Sequence, residues 1–276
     1  MSFYTSLSGL KAAQTDMSVI SNNVANAGSV GFKRSKAMFG DIFASSPTQS
    51  TKMIAGQGTR LNGITQQFTQ GSYESSEKTL DLAVVGEGMF IVKGEPPREQ
   101  VTYTRNGAFE PTPDRYVIDS TGARLQLLPV DANGNVTDRT LAGAFDFRLP
   151  EGAPSDPASG LVNVSIGLDG LVTATFANGE DQTLGKVAMA TFPAMSGLRP
   201  IGDSHWQSTG ESGDPTIDAA TNGPMGAIRS GALERSNVDI TEELVMLIGA
   251  QRNFQANAKA IEGASTLTQT IINMRT

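Results

Sequence analysis

The stretch Val238–Thr276, VDITEELVMLIGAQRNFQANAKAIEGASTLTQTIINMRT, decides the architecture. Asp239, followed three residues later by Glu242, reads as an N-cap with its capping-box acid. Glu242 and Glu243 fall in the first turn, where the helix dipole favours negative charge. No proline follows. Leu244, Leu247, Gln251, Phe254, Ala258, Ile261, Ser265, Thr268 and Ile272 recur at steps of three and four, which predicts one seam along a single helix. At about 1.5 Å per residue that helix spans roughly 50 Å. One turn is unusual. Leu244-Val245-Met246-Leu247-Ile248 is an unbroken apolar run. Successive residues sit about 100° apart, so the run covers the whole circumference and requires neighbours on all sides.

The other end of the chain supplies a first partner. Phe3, Leu7, Leu10, Met17 and Val24 step in threes and fours, with Gln14 and Ser21 as polar interruptions in the same register. Asn26-Ala27-Gly28 is a helix stop. Between the ends the period changes to two. The predicted fold class is therefore α+β: an antiparallel β-rich middle domain flanked by N- and C-terminal α-helices that pair as a coiled coil. The expected division is a discontinuous helical domain at 1–27 and 238–276, connecting segments at 28–72 and 210–237, and a β-rich outer domain at 73–209.

Composition narrows the classes. The chain has 276 residues, 38% of them apolar, enough for one large domain or two modest ones. Its 30 glycines exceed the usual share of about 7% and point to many turns. The net charge of −7 argues against nucleic acid as a partner. Residues 1–40 carry Lys11, Lys33, Arg34 and Lys36 against Asp16, and the C-terminal stretch is nearly balanced, so the acidic excess lies in the middle. That distribution suits buried ends and an exposed middle. With no cysteine there is no disulfide, thiolate metal site or cysteine nucleophile. No apolar run reaches the ~18 residues of a membrane span, so membrane insertion is not expected. The first residues lack the charged and apolar regions of a signal peptide, so export, if it occurs, is expected to need no cleaved signal.

In the middle, Leu80, Leu82 and Val84 alternate with Asp81 and Ala83, Gly86-Glu87-Gly88 reads as a turn, and Met89–Val92 as the return strand. Asn106-Gly107, Asn133-Gly134, Asp169-Gly170 and Asn178-Gly179 are hairpin signals. So is Asp119-Ser120-Thr121-Gly122, between Tyr116–Ile118 and Leu125–Val130. Residues 44–58 and 149–160 read as loops, and 210–226 as a link back to the last helix.

Tests for chemistry are negative. His205 is the single histidine, beside Trp206 on an apparent strand. A Ser-His-Asp triad would need it, and a histidine metal cluster is excluded by count. Asp131-Ala132-Asn133-Gly134-Asn135 begins like a calcium loop, but Val136 and Ala142 stand where glycine and glutamate are required. Gly56-Gln57-Gly58 and Gly86-Glu87-Gly88 lack the remainder of a phosphate loop. No cofactor is expected.

Several motifs carry a resemblance. Ser21-Asn22-Asn23-Val24-Ala25-Asn26 with Gly31-Phe32-Lys33, and Ser236-Asn237-Val238-Asp239 with Glu243-Leu244-Val245, resemble the end motifs of flagellar axial proteins, the rod and hook subunits. Ala250-Gln251-Arg252-Asn253-Phe254-Gln255-Ala256-Asn257 looks more like the hook than the rod pattern, as do Gly63–Phe68, Gln182–Gly185 and Leu198–Asp203. Hook proteins usually carry a further outer β domain, for which the space between Val130 and Val162 is too short. The chain thus has the length and layout of a distal rod protein with hook-like motifs.

The resemblance implies a non-enzymatic subunit of a helical tube, with helices lining the inside and β domains outside. It implies a flagellar hook that bends while passing torque from rod to filament, or alternatively a distal rod. Implied partners are further copies of the chain, the rod and hook-filament junction proteins, the hook cap, and the flagellar type III apparatus that exports it. The residues expected at subunit contacts are Leu7, Leu10, Met17, Val24, Leu244, Val245, Leu247, Ile248, Phe254 and Ile261. The motif residues are Asn22, Asn23, Asn26, Gly31, Phe32, Lys33, Asn237, Gln251, Arg252 and Asn253. A second class stays open: a soluble β domain with helical ends that binds or hydrolyses a small substrate.

Overall fold

The computed structural model describes residues 2–43, 56–97, 99–131 and 134–274. Two compact units emerge. The first comprises Met1–Ala27, Lys33–Gln67 and Val238–Thr276, and the second Gly28–Phe32 and Phe68–Asn237.

The first unit holds two helices, α1 (Ser2–Ala25) and α2 (Ile240–Met274), and two paired strands, β1 (Ser35–Phe43) and β2 (Gly56–Gln66). Two contacts fix how the helices run. A Cβ on Gly9 would lie 2.7 Å from Oδ1 of Asn257, and Asn23 hydrogen-bonds Glu243 at 3.2 Å. Moving toward the C-terminus on α1 thus means moving toward the N-terminus on α2, so the pair is antiparallel. Both steps are two heptads long, so the register repeats as in a coiled coil.

The buried and partly buried positions of α2 are Glu243, Met246, Leu247, Ala250, Phe254, Asn257, Ala258, Ile261 and Ala264. Leu247, Phe254, Ala258 and Ile261 belong to the expected seam. Leu244, Gln251, Ser265, Thr268 and Ile272 are expected there too but are exposed, and Glu243, Ala250 and Ala264 take the places of the first three. The shift has a physical reason. Closely packed helices favour small or hydrogen-bonded residues at the contact, and apolar counting passes over them.

The segment 28–72, expected as a connector, holds the β1–β2 pair, which runs antiparallel from Ser35↔Gln66 to Phe43↔Gly56 with register shifts between Met38 and Phe39 and between Asp41 and Phe43. The pair packs along α1, where Ser8 Oγ accepts the Thr59 N–H at 3.2 Å. The expected loop at 44–58 lies mostly outside the described residues, and Gly56–Gly58 already belongs to β2.

The second unit is built on one large antiparallel sheet, with two short antiparallel strand pairs beside it. In spatial order its main path runs through Leu161–Ile166, Leu171–Phe176, Asp181–Val187, Arg124–Leu128, Met89–Lys93, Val101–Thr104, His205–Gln207 and Arg199–Gly202. Met89–Lys93 is buried on both faces. Phe90 and Val92 enter one cluster with Phe109, Leu125 and Phe147, whereas Met89 and Ile91 enter another with Tyr103, Phe192 and Trp206. A strand covered on both sides reads as a continuous apolar run.

The hairpins at Asp169-Gly170 and Asn178-Gly179 form, with φ of 78° and 83° at their glycines. The turn at 119–122 forms as well, closed by the Gly122 N–H on Asp119 O at 3.1 Å. Two expected hairpins do not form. Leu82–Val85 pairs with Ala227–Ser230, not with Met89–Lys93. Asn106-Gly107 is no two-residue turn: Gly107 O accepts the Leu82 N–H at 2.9 Å, and a Cβ there would sit 1.6 Å from Leu82 O. Glycine is needed at that point for close approach. The segment 210–237, expected as a link, supplies Thr216–Asp218, Ala227–Ser230 and Ala232–Glu234, each paired with a strand of this unit.

Candidate assembly interface

Within the first unit, the end of α1, the start of α2 and the root of the hairpin meet at one polar node. Asn23 is 1% exposed. Its Oδ1 accepts the Ser35 N–H at 2.9 Å, and its Nδ2 donates to Ser35 O at 2.8 Å and to Glu243 Oε2 at 3.2 Å. Arg34 places Nε 2.6 Å from Glu243 Oε1 and a terminal nitrogen 3.2 Å from Glu242 Oε1. A buried carboxylate is costly unless paired and hydrogen-bonded, and Glu243 has both kinds of partner. Asp239 caps α2: its Oδ1 accepts the N–H groups of Thr241 at 2.7 Å and Glu242 at 3.2 Å. Those backbone donors hold its carboxyl below the usual range. Burial, in contrast, raises the Asp16 carboxyl on the adjoining face of α1.

Of the residues expected at subunit contacts, Leu7, Leu10, Met17 and Val24 are partly buried on α1, and Leu247, Phe254 and Ile261 are partly buried along the α1–α2 seam. Leu244, Val245 and Ile248 are 45%, 66% and 50% exposed. The apolar run thus keeps one side against its own chain and leaves the other side open. The end of α2 is exposed too, with Leu267 and Ile271 at 67%.

The motif residues divide by role. Asn22 O accepts both the backbone N–H and the Nδ2 of Asn26, which closes α1. In the second unit Gly31 is buried at φ 67°, donates its N–H to Glu234 O at 2.8 Å, and leaves no space for a Cβ beside Arg105 and Asn106. Phe32 is partly buried and Lys33 fully buried. Asn237 Nδ2 reaches Thr69 O at 3.0 Å. Gln251, Arg252 and Asn253 lie exposed on α2. Sequence reasoning missed Arg34 and Ser35 as members of the node. The only local signal was Glu243 at seam spacing from Leu247 and Ala250.

Other candidate chemistry dissolves into structure. His205 is buried, with Nε2 2.7 Å from Asp119 Oδ2 and Nδ1 2.8 Å from Asp203 O. Both ring nitrogens are engaged, so neither is left to activate a nucleophile. Burial opposes its charge, but the bond and charge of Asp119 prevail and raise its pKa. Asp119 is held low against burial by His205 and Thr121. Asp131 Oδ1 accepts the Asn135 N–H at 2.8 Å, as in an ordinary turn, although residues 132–133 lie outside the described residues.

Comparison with known proteins decides the family. Over 288 aligned positions the chain is 32% identical to the flagellar basal-body rod protein FlgG of Bacillus subtilis (strain 168), covering 99% of this chain and 98% of the relative. The chain belongs to the flagellar rod and hook axial protein family. Three family models agree with that membership: the flagella basal body rod protein over residues 3–33, the flagellar hook protein FlgE/F/G D1 domain over 83–174, and the flagellar basal body rod FlgEFG protein C-terminal over 229–274. FlgG of Buchnera aphidicola subsp. Baizongia pistaciae (strain Bp) is likewise 32% identical, over 95% of this chain and 94% of the relative. The flagellar hook protein FlgE of Salmonella typhimurium (strain LT2) is 25% identical over 412 positions, covering 100% of both chains. Since this axial protein has 276 residues, more than a hundred positions of that hook relative have no counterpart in it.

Proposed function

We propose that this chain is the structural subunit of a flagellar hook. It polymerises into a flexible helical tube outside the cytoplasmic membrane and carries torque from rod to filament. One observation carries the polymer reading: Leu244, Val245 and Ile248 stay exposed on a helix whose other side is already packed. Burying each such side chain contributes about 1.5–3 kcal/mol, available only from a neighbour. In this reading the subunit is secreted by the flagellar type III apparatus, is added beneath a hook cap, and is joined by rod proteins below and junction proteins above. Its role is mechanical, with no reaction to catalyse.

The choice of hook rests on Ala250–Asn257, the hook-like run, whose Gln251, Arg252, Asn253 and Gln255 are exposed on α2 for a neighbouring copy to meet. A second reading, the distal rod, is favoured by the end-to-end match to a rod protein of equal layout. Electron microscopy of basal bodies from cells lacking the protein separates them. Loss of the curved segment above an intact rod is expected for a hook subunit. A rod truncated within the envelope would assign the chain to the distal rod.

A further inference from the structure

The register of the helical pair leaves one end of α2 uncovered. With Gly9 opposite Asn257 and Asn23 opposite Glu243, the first residues of α1 lie opposite Ala264. Residues 265–274 continue beyond that point as helix, and every one of them is exposed. Leu267, Ile271 and Met274 are spaced i, i+4, i+7 and share one face of this overhang. At the opposite end of the same helix, Leu244, Val245 and Ile248 form the second exposed apolar patch, on the side turned away from Glu243, Leu247 and Ala250.

We propose that these two patches are each other's partners between copies: Leu244, Val245 and Ile248 of one copy receive Leu267, Ile271 and Met274 of the next. This rests on the polymer reading above and names the contact that would drive it. The patches cannot meet within one copy, because the 23 residues from Ile248 to Ile271 hold them roughly 35 Å apart on a continuous helix. A second copy supplies the missing surface in matching size and chemistry. The overhang has the space for it, since no α1 runs beside it, and a second helix there prolongs the coiled-coil packing that α1 begins. The contact is heterologous, each copy offering one patch upward and the other downward. A heterologous contact that includes a translation along its axis does not close into a ring; it propagates as a helix. With the helices parallel, successive copies joined this way are displaced by roughly 35 Å along α2.

Two full-length variants test the pairing. Ile248→Glu and Ile271→Lys each place a charge in one patch. Each alone is expected to keep the helical circular dichroism of the parent and to lose sedimentable polymer. An equimolar mixture is expected to recover polymer as an alternating copolymer, because the glutamate of one variant meets the lysine of the other while the untouched patches meet at the next junction. Because the chain has no cysteine, Ile248→Cys combined with Ile271→Cys is a second test that adds no charge. On oxidation it is expected to give a ladder of covalent multimers, and Gln255→Cys with Ile271→Cys is expected to give none. Parent tubes that form while the mixture stays unassembled and the cysteine pair gives no ladder would overturn the pairing and leave the polymer reading intact. Single variants that assemble like the parent would overturn it as well. A parent chain that stays monomeric at high concentration by light scattering would overturn both.

Discussion

Asn23 on the first helix donates to Glu243 on the last at 3.2 Å, although the two stand 220 positions apart in the chain. The same carboxylate takes Arg34 at 2.6 Å. Removing it leaves Asn23 with an unmet donor and strips Arg34 of its closest anion. Breaking a buried pair typically costs about 3–5 kcal/mol. Glu243→Ala is therefore expected to melt the helices early while the second unit persists. Far-UV circular dichroism follows the helices, and Trp206, the one tryptophan, reports the β unit from its buried position. Coincident loss of both signals at an unchanged midpoint would contradict the prediction.

The His205–Asp119 pair gives the β unit a pH dependence of known sign. The folded pKa of His205 is raised, so its contribution is complete below the usual value of about 6.5 and is lost as pH rises through the folded value. That of Asp119 is lowered, so its contribution is present above about 3.9 and is lost as pH falls through the folded value. The pair therefore stabilises most between about pH 4 and 6.5. A charged hydrogen bond of this kind contributes about 1.5–3 kcal/mol. Urea titrations followed by Trp206 fluorescence should show stability declining above pH 6.5, and His205→Gln should flatten that decline.

Two glycines should respond differently to alanine. At Gly107 a Cβ would stand 1.6 Å from Leu82 O, so the strand Leu82–Val85 must move. The expected cost is at least the ~1–3 kcal/mol of overpacking. Gly122 has open space around its Cβ position and a φ of 83°, so only backbone strain of about 1–2 kcal/mol applies. Thermal midpoints of the two variants rank them, and a Gly107→Ala midpoint equal to that of Gly122→Ala would refute the close-approach argument.

Deleting residues 240–276 should leave the β unit folded, because its two main clusters draw only on residues 68–228. The truncated chain is expected to retain buried Trp206 fluorescence and to form no tubes under the electron microscope. Tubes at the parent's concentration would show that α2 is dispensable for assembly.

Some of this molecule is written locally in the chain. Helix periodicity placed α1 and α2, Asp239 marked the cap, and Gly170 and Gly179 marked hairpins, since each depends on residues a few positions apart. Leu247, Phe254 and Ile261 were legible as seam because they are large and apolar. Glu243, Ala250 and Ala264 were not, because a contact between close helices admits small or paired polar groups that no apolar count finds. The partnering of Leu82–Val85 with Ala227–Ser230, the Asp119–His205 bond and the Asn23–Arg34–Glu243 node join residues far apart in sequence. Nothing in the neighbourhood of either partner encodes the other. The tertiary structure alone decided them, because only folding brings those groups out of water together, where each must find a partner to offset its lost hydration.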